Sequence, residues 1–213
     1  MIERRAYRSD LRTQQARATR RAVVEAATGL FVARGYADTT LDAVAAAAGV
    51  SRRTVVNAVG GKAALLALAW DFSLVGDDEP VPMADRPGVL AIRASTDPAE
   101  SVRLWAEMTV EIEERVAAIG RALEAAADVD EEAAALLAKA GAERLDGARA
   151  FADHLASIGG LASGTTVEQA ADAFWALNDG TLYRRLVLDR GWSTARFADW
   201  LRRQTQASTG HPG

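Results

Sequence analysis

One stretch, TTLDAVAAAAGVSRRTVVNAVGGK at residues 39–62, limits what this chain can fold into more than any other part of the sequence. Thr39 can cap a helix N-terminus, with Asp42 three residues later in a capping-box arrangement. Gly49 suits the left-handed backbone that ends a helix, and Ser51 can cap a second one. Apolar residues recur at helical spacing on both sides of this turn. The pattern predicts two short helices joined by a tight turn, a helix-turn-helix.

The second helix of this pair carries the side chains that proteins use to read DNA. Arginine can bond guanine with two hydrogen bonds and asparagine can do the same with adenine, whereas hydroxyls reach bases or phosphates. The candidates are Ser51, Arg52, Arg53, Thr54 and Asn57. Lys62 follows a Gly-Gly turn, near the start of the next helix, where its ammonium and free backbone N–H groups can hold a phosphate. Spacing alone leaves one alternative, an alanine-rich helical hairpin with a solvated charged face.

The run from Leu30 to Leu66 resembles the N-terminal domain of the TetR (tetracycline-repressor) family of bacterial transcriptional regulators. The matching residues are Phe31, Arg34-Gly35-Tyr36, Thr39-Thr40, Val44-Ala45, Ala48 to Ser51, Thr54, Gly61-Lys62 and Leu65. The resemblance covers roughly the first third of the chain. It implies an all-α protein in which a three-helix helix-turn-helix DNA-binding domain precedes a helical ligand-binding and dimerisation domain.

The resemblance also implies which residues contact DNA. Arg52, Arg53, Thr54 and Asn57 would read bases, and Thr39, Thr40, Ser51 and Lys62 would contact phosphates. In this family the N-terminal end of the first helix approaches the DNA backbone, which makes Arg17 and Arg21 further candidates for phosphate contacts. The expected partner is double-stranded DNA that carries a palindromic operator, read by a homodimer whose two recognition helices lie about one helical turn apart.

One departure from the family pattern concerns the end of the recognition helix. Family members commonly carry a Tyr, a His or Tyr, and a Phe after the recognition threonine, but this chain has Val56, Ala58 and Val59. The tyrosine usually donates to a phosphate and the phenylalanine usually packs in the core. Two readings therefore stay open: a DNA-binding head with altered contacts, and a helical dimer that has lost DNA binding and acts through protein or ligand contacts.

Charge and composition agree with a protein that meets nucleic acid at one end. Residues 1–62 carry eleven Lys or Arg and five Asp or Glu, a net charge of +6, whereas the remaining residues bring the whole chain to −4. A basic head on an acidic body favours DNA at the head only. The chain has no cysteine, no signal peptide and no apolar run of the roughly 20 residues that cross a bilayer. We therefore expect a cytoplasmic protein without a membrane partner.

Turn signals and helical periodicity divide the chain into four segments. We expect a flexible basic arm at residues 1–13, the DNA-binding domain at 14–62, the helical ligand-binding and dimerisation domain at 63–207, and a disordered tail at 208–213. The arm either reaches along a groove of bound DNA or is a terminus kept soluble by its charge. In the helical domain, loop residues 76–88 precede long helices that start after Asp97-Pro98 and Asp130.

The helical domain offers candidates for ligand binding and dimerisation. An apolar pocket with few polar groups could be lined by Trp70, Trp105, Met108, Phe174 and Asn178, which predicts a small hydrophobic or aromatic effector. The last two helices have apolar residues on more than one face, and in the resembling family this pair packs against its twofold mate.

Motifs for catalysis are absent from the sequence. It has no cysteine nucleophile, no P-loop, no dinucleotide-binding glycine motif and no Glu-x-x-His repeats that could hold a metal pair. We therefore expect neither an enzyme nor a bound metal or cofactor. The sequence predicts instead a ligand-responsive DNA-binding transcriptional regulator, most simply a repressor that a small effector releases.

Overall fold

The structure, a computed structural model, describes residues 2–207, with side chains from residue 13 to residue 206. Throughout that range the regular structure is helical, so the all-α prediction is confirmed. The helices are α1 (Ile2–Asp38), α2 (Leu41–Ala47), α3 (Arg52–Val59), α4 (Lys62–Val75), α5 (Pro87–Ala94), α6 (Pro98–Ala127), α7 (Glu131–Ser157), α8 (Val167–Leu177), α9 (Gly180–Tyr183) and α10 (Thr194–Ala207). A 3₁₀ turn at Met83–Asp85 precedes α5, and a π-helix at Arg184–Asp189 follows α9.

The first compact unit comprises Met1–Asp78 together with Ala118–Leu137. Helices α1 to α4 pack against one another around buried apolar side chains, which include Phe31, Val44, Val55, Leu65 and Leu66. Gly35 interrupts α1 with a φ of 80°, a conformation that side-chain-bearing residues rarely adopt. The helix is therefore kinked at this glycine, and the last residues of α1 take a new direction toward α2.

The second compact unit comprises Glu79–Ala117 and Ala138–Gly213. Its core holds three aromatic rings from three different helices: Trp105 stacks on Phe151 at 5.2 Å between ring centroids, and Phe174 lies 5.7 Å from Trp105. Thr166 caps α8 in a full capping box with Gln169. The chain after α8 is interrupted at residues 178–179 before helical structure resumes at Gly180.

The two compact units divide the chain differently from the predicted boundary after residue 62. The unit that contains the helix-turn-helix also includes α4 and residues 118–137. Helix α1 begins at Ile2, inside the segment expected to be a flexible arm. The side chains of arm residues 1–12 and the predicted tail at 208–213 lie outside the described residues. The four-segment organisation therefore stays a prediction.

Within the described range, no single helix is both long enough and apolar enough to span a membrane. Helices α3 and α4 would reach the required length and composition only as a pair, and they are bent by 64° at the Gly60-Gly61 break.

Candidate nucleic-acid interface

Two side-chain caps fix the helix-turn-helix. The Thr40 hydroxyl oxygen accepts the backbone N–H of Ala43 at 3.1 Å at the start of α2, and the Ser51 hydroxyl oxygen accepts that of Thr54 at 3.0 Å at the start of α3. Gly49 between them has a φ of 68°, so the glycine supplies the left-handed turn that the sequence indicated. The predicted cap at Ser51 is confirmed, and both caps satisfy backbone donors that a helix start leaves without partners.

Thr39 does not have the position that the sequence predicted. Its side chain is only 1% exposed, and its hydroxyl donates a 2.8 Å hydrogen bond to the Gly35 carbonyl, at the break in α1. The prediction that Thr39 caps α2 was therefore wrong. Its phosphate contact stays a prediction, which a buried hydroxyl already bonded to a helix end does not favour. The cap belongs to Thr40, whose side chain is exposed.

Helix α3 presents opposite faces to the core and to solvent. Val55 and Val59 are buried, four residues apart on the inner face. The outer positions are exposed at Arg52, Arg53 and Asn57 and half-buried at Thr54. The structure therefore brings together, on one short helix, two guanidiniums, an amide and a hydroxyl. The Arg52 Nε lies 3.5 Å from an Asp42 carboxylate oxygen. Because both side chains are mostly exposed, this ion pair holds Arg52 only weakly.

Lys62 is the first residue of α4, as expected for a residue that supports a phosphate at a helix N-terminus. Gly61 caps this helix without a side-chain hydrogen bond. The Lys62 ammonium donates to the Ala37 carbonyl at 3.1 Å and lies 4.2 Å from the centre of the Tyr36 ring. These contacts hold the ammonium beside the N-terminus of α4, where the helix dipole and free backbone N–H groups favour an anion.

Tyr36 connects this lysine to the α6–α7 corner of the same unit. Its hydroxyl donates a 2.6 Å hydrogen bond to Asp130, whose other carboxylate oxygen accepts the N–H groups of Glu132 and Ala133 at the start of α7. Burial, followed by the bond to Asp130, raises the pKa of Tyr36. The same hydrogen bond from Tyr36 is the main cause that lowers the pKa of Asp130. The sequence indicated Asp130 as a cap but gave no sign of its bond to Tyr36.

Arg17 and Arg21 are not brought together with the recognition helix. The Arg17 guanidinium donates to both carboxylate oxygens of Asp78, at 2.6 and 2.8 Å, and Arg21 donates to the same carboxylate at 2.9 Å. Asp78 lies beyond the C-terminus of α4, about 20 Å along that helix from Lys62. These bonds, led by that from Arg17, lower the pKa of Asp78 to about 2. Phosphate contacts by the two arginines stay a prediction that this arrangement does not favour.

The departure from the family pattern falls on both faces of α3. Val56 is 44% exposed, beside Asn57 on the outer side, whereas Val59 is buried and packs in the core. Val59 therefore fills the core position with a smaller side chain. At position 56 the helix shows an apolar group where a phosphate-binding hydroxyl would otherwise extend.

Of the five predicted ligand-binding residues, three belong to one cluster of the second unit, and a pocket that all five line stays a prediction. Trp105 and Phe174 meet in the core of the second unit, where Met108 packs against the same cluster. The Asn178 carbonyl ends α8 and accepts a 2.8 Å hydrogen bond from Arg144. Trp70 lies on α4, in the first unit. Trp105 and Phe174 are almost fully buried, so in this structure they pack the core of the second unit.

Sequence reasoning missed a buried acid in the second unit. Glu113 on α6 is only 5% exposed, and its Oε2 atom finds no hydrogen-bond partner among the described residues. Burial raises the pKa of Glu113 to about 7, against the opposing effect of Arg144. Thr109, one helical turn earlier, is also buried with an unpartnered hydroxyl. Spacing could have indicated this pair, because Trp105, Thr109 and Glu113 follow one another at every fourth residue and so share a face of α6.

Comparison with known proteins gives one family match. Residues 23–69 match the model of the family described as bacterial regulatory proteins, tetR family, over the stretch that holds α2, α3 and most of α4. This agrees with the expectation of a non-enzymatic regulator. No curated protein matches the sequence.

Solved structures extend the likeness to nearly the whole chain. A TetR transcription regulator from Haloarcula marismortui is 19% identical with a TM-score of 0.66, over 90% of this chain and 98% of that one. The fatty acid degradation regulator FadR from Bacillus halodurans is 15% identical with a TM-score of 0.65, over 88% and 94% of the two chains. A regulator from Saccharomonospora viridis, solved in complex with choline, is 18% identical with a TM-score of 0.65, over 86% and 93%. At these identities the likeness is one of fold.

Proposed function

We propose that this chain, which carries the tetR-family helix-turn-helix domain and has the fold of that family's regulators, is a ligand-responsive repressor that binds a palindromic DNA operator as a homodimer. One observation carries the proposal: α3 buries Val55 and Val59 and leaves Arg52, Arg53 and Asn57 exposed on its outer face. Those side chains match the donors and acceptors of base edges in the major groove.

The roles on this surface follow from where each group lies. Arg52, Arg53, Thr54 and Asn57 would read bases, whereas Thr40, Ser51 and Lys62 would hold phosphates at the two helix starts and at the N-terminus of α4. A single helix of eight residues reads only a few base pairs. Two copies related by a twofold axis would place two such helices about 34 Å apart and read a palindrome.

Ligand response is supported by the kinds of molecules that similar proteins meet. One structural neighbour was solved with choline, so a protein of this fold holds a small organic molecule, and another is a fatty acid degradation regulator. We propose that the helical second unit binds a small effector with an apolar body, and that binding releases the operator. Such a regulator would act in the cytoplasm, where its DNA is.

Selection of DNA from a random library by the wild-type protein tests the proposal. We expect enrichment of a palindrome whose half-sites are centred about one helical turn apart, and a dimer in light scattering at micromolar concentration. The matched control is the variant R53A, which should enrich a less specific set of sequences. A monomer in solution, or a library that stays unenriched with the wild-type protein, contradicts the proposal.

Val56 favours a second candidate function. Val56 is exposed on the outer side of α3, at the position where family members commonly carry a tyrosine that donates to a phosphate, so that contact is missing here. In this alternative the chain keeps the fold and the dimer but acts through protein or ligand contacts without an operator. The variant V56Y separates the two: it should tighten existing operator binding, whereas it would create no sequence preference in a chain whose other DNA contacts are lost.

A further inference from the structure

The second unit contains two buried polar atoms that find no partner within the described chain. They are the Oε2 of Glu113 and the Oγ1 of Thr109, on residues that are 5% and 1% exposed. Buried polar groups are hydrogen-bonded in the great majority of cases, so an unpartnered pair one helical turn apart calls for an explanation. A carboxylate oxygen can only accept when ionised, and a hydroxyl oxygen can accept as well, so what both could receive is a hydrogen-bond donor.

The surroundings of Glu113 are built closely around this carboxylate. A Cβ atom at Gly180 would lie 2.9 Å from the Glu113 Oε2 and 3.5 Å from an Arg184 nitrogen, so the carboxylate packs closely against this glycine. Gly180 begins α9, which runs directly into the π-helix at Arg184–Asp189. Single π-helical turns are rare and frequently occur at functional sites. A backbone break, a close glycine and a π-helix therefore meet at one buried acid.

The cations near this acid already have partners of their own. Arg144 donates to the carbonyls of Trp175 and Asn178 and lies 3.5 Å from Asp179, and Arg184 donates to the Thr181 hydroxyl. Arg144 and Arg184 act on Glu113 through their charge, but its Oε2 still lacks a donor, and the Thr109 hydroxyl oxygen beside it can accept one too. An anionic ligand would meet the Glu113 carboxylate directly, whereas a donor-bearing cation would satisfy it.

Buried aromatic side chains adjoin the two acceptors along the same helix face. Trp105 precedes Thr109 by four residues and Glu113 by eight. In the core it stacks on Phe151 and lies at a tilt beside Phe174. Aromatic faces attract cations as well as apolar groups. One face of α6 thus offers, in order, an aromatic ring, a hydroxyl and a carboxylate.

We infer that Glu113 and Thr109 form the polar end of the effector site, and that the effector is an organic ammonium ion with N–H donors on an apolar body. This rests on the proposed function, whose effector it assigns to a chemical class. Glu113 binds the ammonium group through its Oε2, and the Thr109 hydroxyl accepts a second N–H. The inference replaces the purely hydrophobic or aromatic effector that the sequence predicted.

Three probes that share a six-carbon chain and differ in headgroup test the inference at pH 8: hexylamine, 1-hexanol and hexanoate. Calorimetric titration of the wild-type protein without DNA should give hexylamine the lowest Kd of the three. E113Q should weaken hexylamine binding by at least about tenfold and leave 1-hexanol unchanged. T109V should weaken it by a smaller factor. The matched control is E111Q, which removes an exposed carboxylate from the same helix and should bind hexylamine as the wild type does.

The outcomes that overturn the inference are equally distinct. Binding of 1-hexanol or hexanoate as tight as that of hexylamine excludes an ammonium site, and so does hexylamine binding that E113Q leaves unchanged. Circular dichroism of each variant checks that it is folded, and T109V provides a second, uncharged test of the same site. Because the titration contains no DNA, it separates this inference from the proposed function. Amine binding without operator binding supports the ammonium site and contradicts the proposed function. Operator binding without amine binding supports the proposed function and contradicts the ammonium site.

Discussion

The Tyr36 hydroxyl donates a 2.6 Å hydrogen bond to the carboxylate of Asp130, which joins the end of α1 to the start of α7. The same Tyr36 ring lies under the Lys62 ammonium, at the first residue of the helix that follows the recognition helix. One tyrosine therefore touches both the α6–α7 corner and a residue proposed to hold DNA.

Removal of this hydroxyl should loosen the first unit. The variant Y36F keeps the ring under Lys62 but loses the bond to Asp130, so the free energy of unfolding should fall by about 1.5–3 kcal/mol, the range for hydrogen bonds to charged groups. Urea unfolding followed by circular dichroism measures the change. D130N serves as the partner variant. If the bond carries the effect, Y36F in the D130N background should produce a clearly smaller further loss than Y36F alone.

Residues proposed to read bases and residues proposed to hold phosphates should respond differently to substitution. R53A should weaken binding to the selected operator by about 1–3 kcal/mol and leave binding to random DNA nearly unchanged, because a base contact is lost. K62A should weaken binding to both DNAs alike and reduce the slope of log K against log salt by about one, because a phosphate contact is lost. Fluorescence anisotropy over a series of salt concentrations measures both. Equal losses on operator and random DNA for both variants would contradict the assigned roles.

Neighbouring threonines should separate stability from DNA binding. T39V leaves the Gly35 carbonyl without its buried donor, so it should lower the free energy of unfolding by about 1–3 kcal/mol while operator affinity per folded molecule stays the same. T40A removes the cap of α2, which is worth about 1 kcal/mol, and should also weaken operator binding. Thermal unfolding and anisotropy on the same preparations test the pair. Lost operator affinity in a fully folded T39V would show that the buried threonine matters to DNA after all.

The buried acid of the second unit predicts a stability that depends on pH. The pKa of Glu113 is raised from 4.5 to about 7, so the folded state binds a proton more tightly than the unfolded state does. Its effect on the free energy of unfolding is absent below about pH 4.5, becomes increasingly unfavourable as the pH rises toward 7, and is constant above that. Arg144 and Arg184 favour the charged form and Asp179 opposes it, but burial outweighs them.

The variant E113Q tests this dependence, because glutamine does not titrate. Between pH 5 and pH 8 the difference in unfolding free energy between E113Q and the wild type should move by about 2–3 kcal/mol in favour of the variant. Urea unfolding in a series of buffers gives that difference at each pH. E111Q, with its exposed carboxylate, should show no such trend. A difference between E113Q and wild type that stays constant with pH would mean that the acid is not desolvated.

The DNA-reading surface was largely readable from the sequence because local rules govern it. Caps, glycine turns and helical spacing act over a few residues, and they correctly placed Ser51, Gly49 and the inner and outer faces of α3. The same rules placed the cap of α2 at Thr39, one residue before the observed cap at Thr40. A break at Gly35 leaves a carbonyl that only the first of the two hydroxyls can reach, and local spacing does not reveal this.

Contacts between distant parts of the chain could not be predicted in this way. Arg17 meets Asp78 across 61 positions and Tyr36 meets Asp130 across 94, and charge or polarity alone does not choose such partners. Glu113 was hidden for a related reason. A helix with several glutamates reads as solvated on the outside, and only packing reveals which carboxylate is turned inward.

The close approach of Gly180 to Glu113 also limits how this pair of positions can vary among chains of the same fold. A Cβ atom at position 180 would lie 2.9 Å from the Glu113 Oε2, so in G180A the buried carboxylate must shift, whereas a shorter residue at 113 would leave room for the methyl group. The two positions are therefore expected to change together, because their side chains share one small space, although they lie 67 positions apart in the chain.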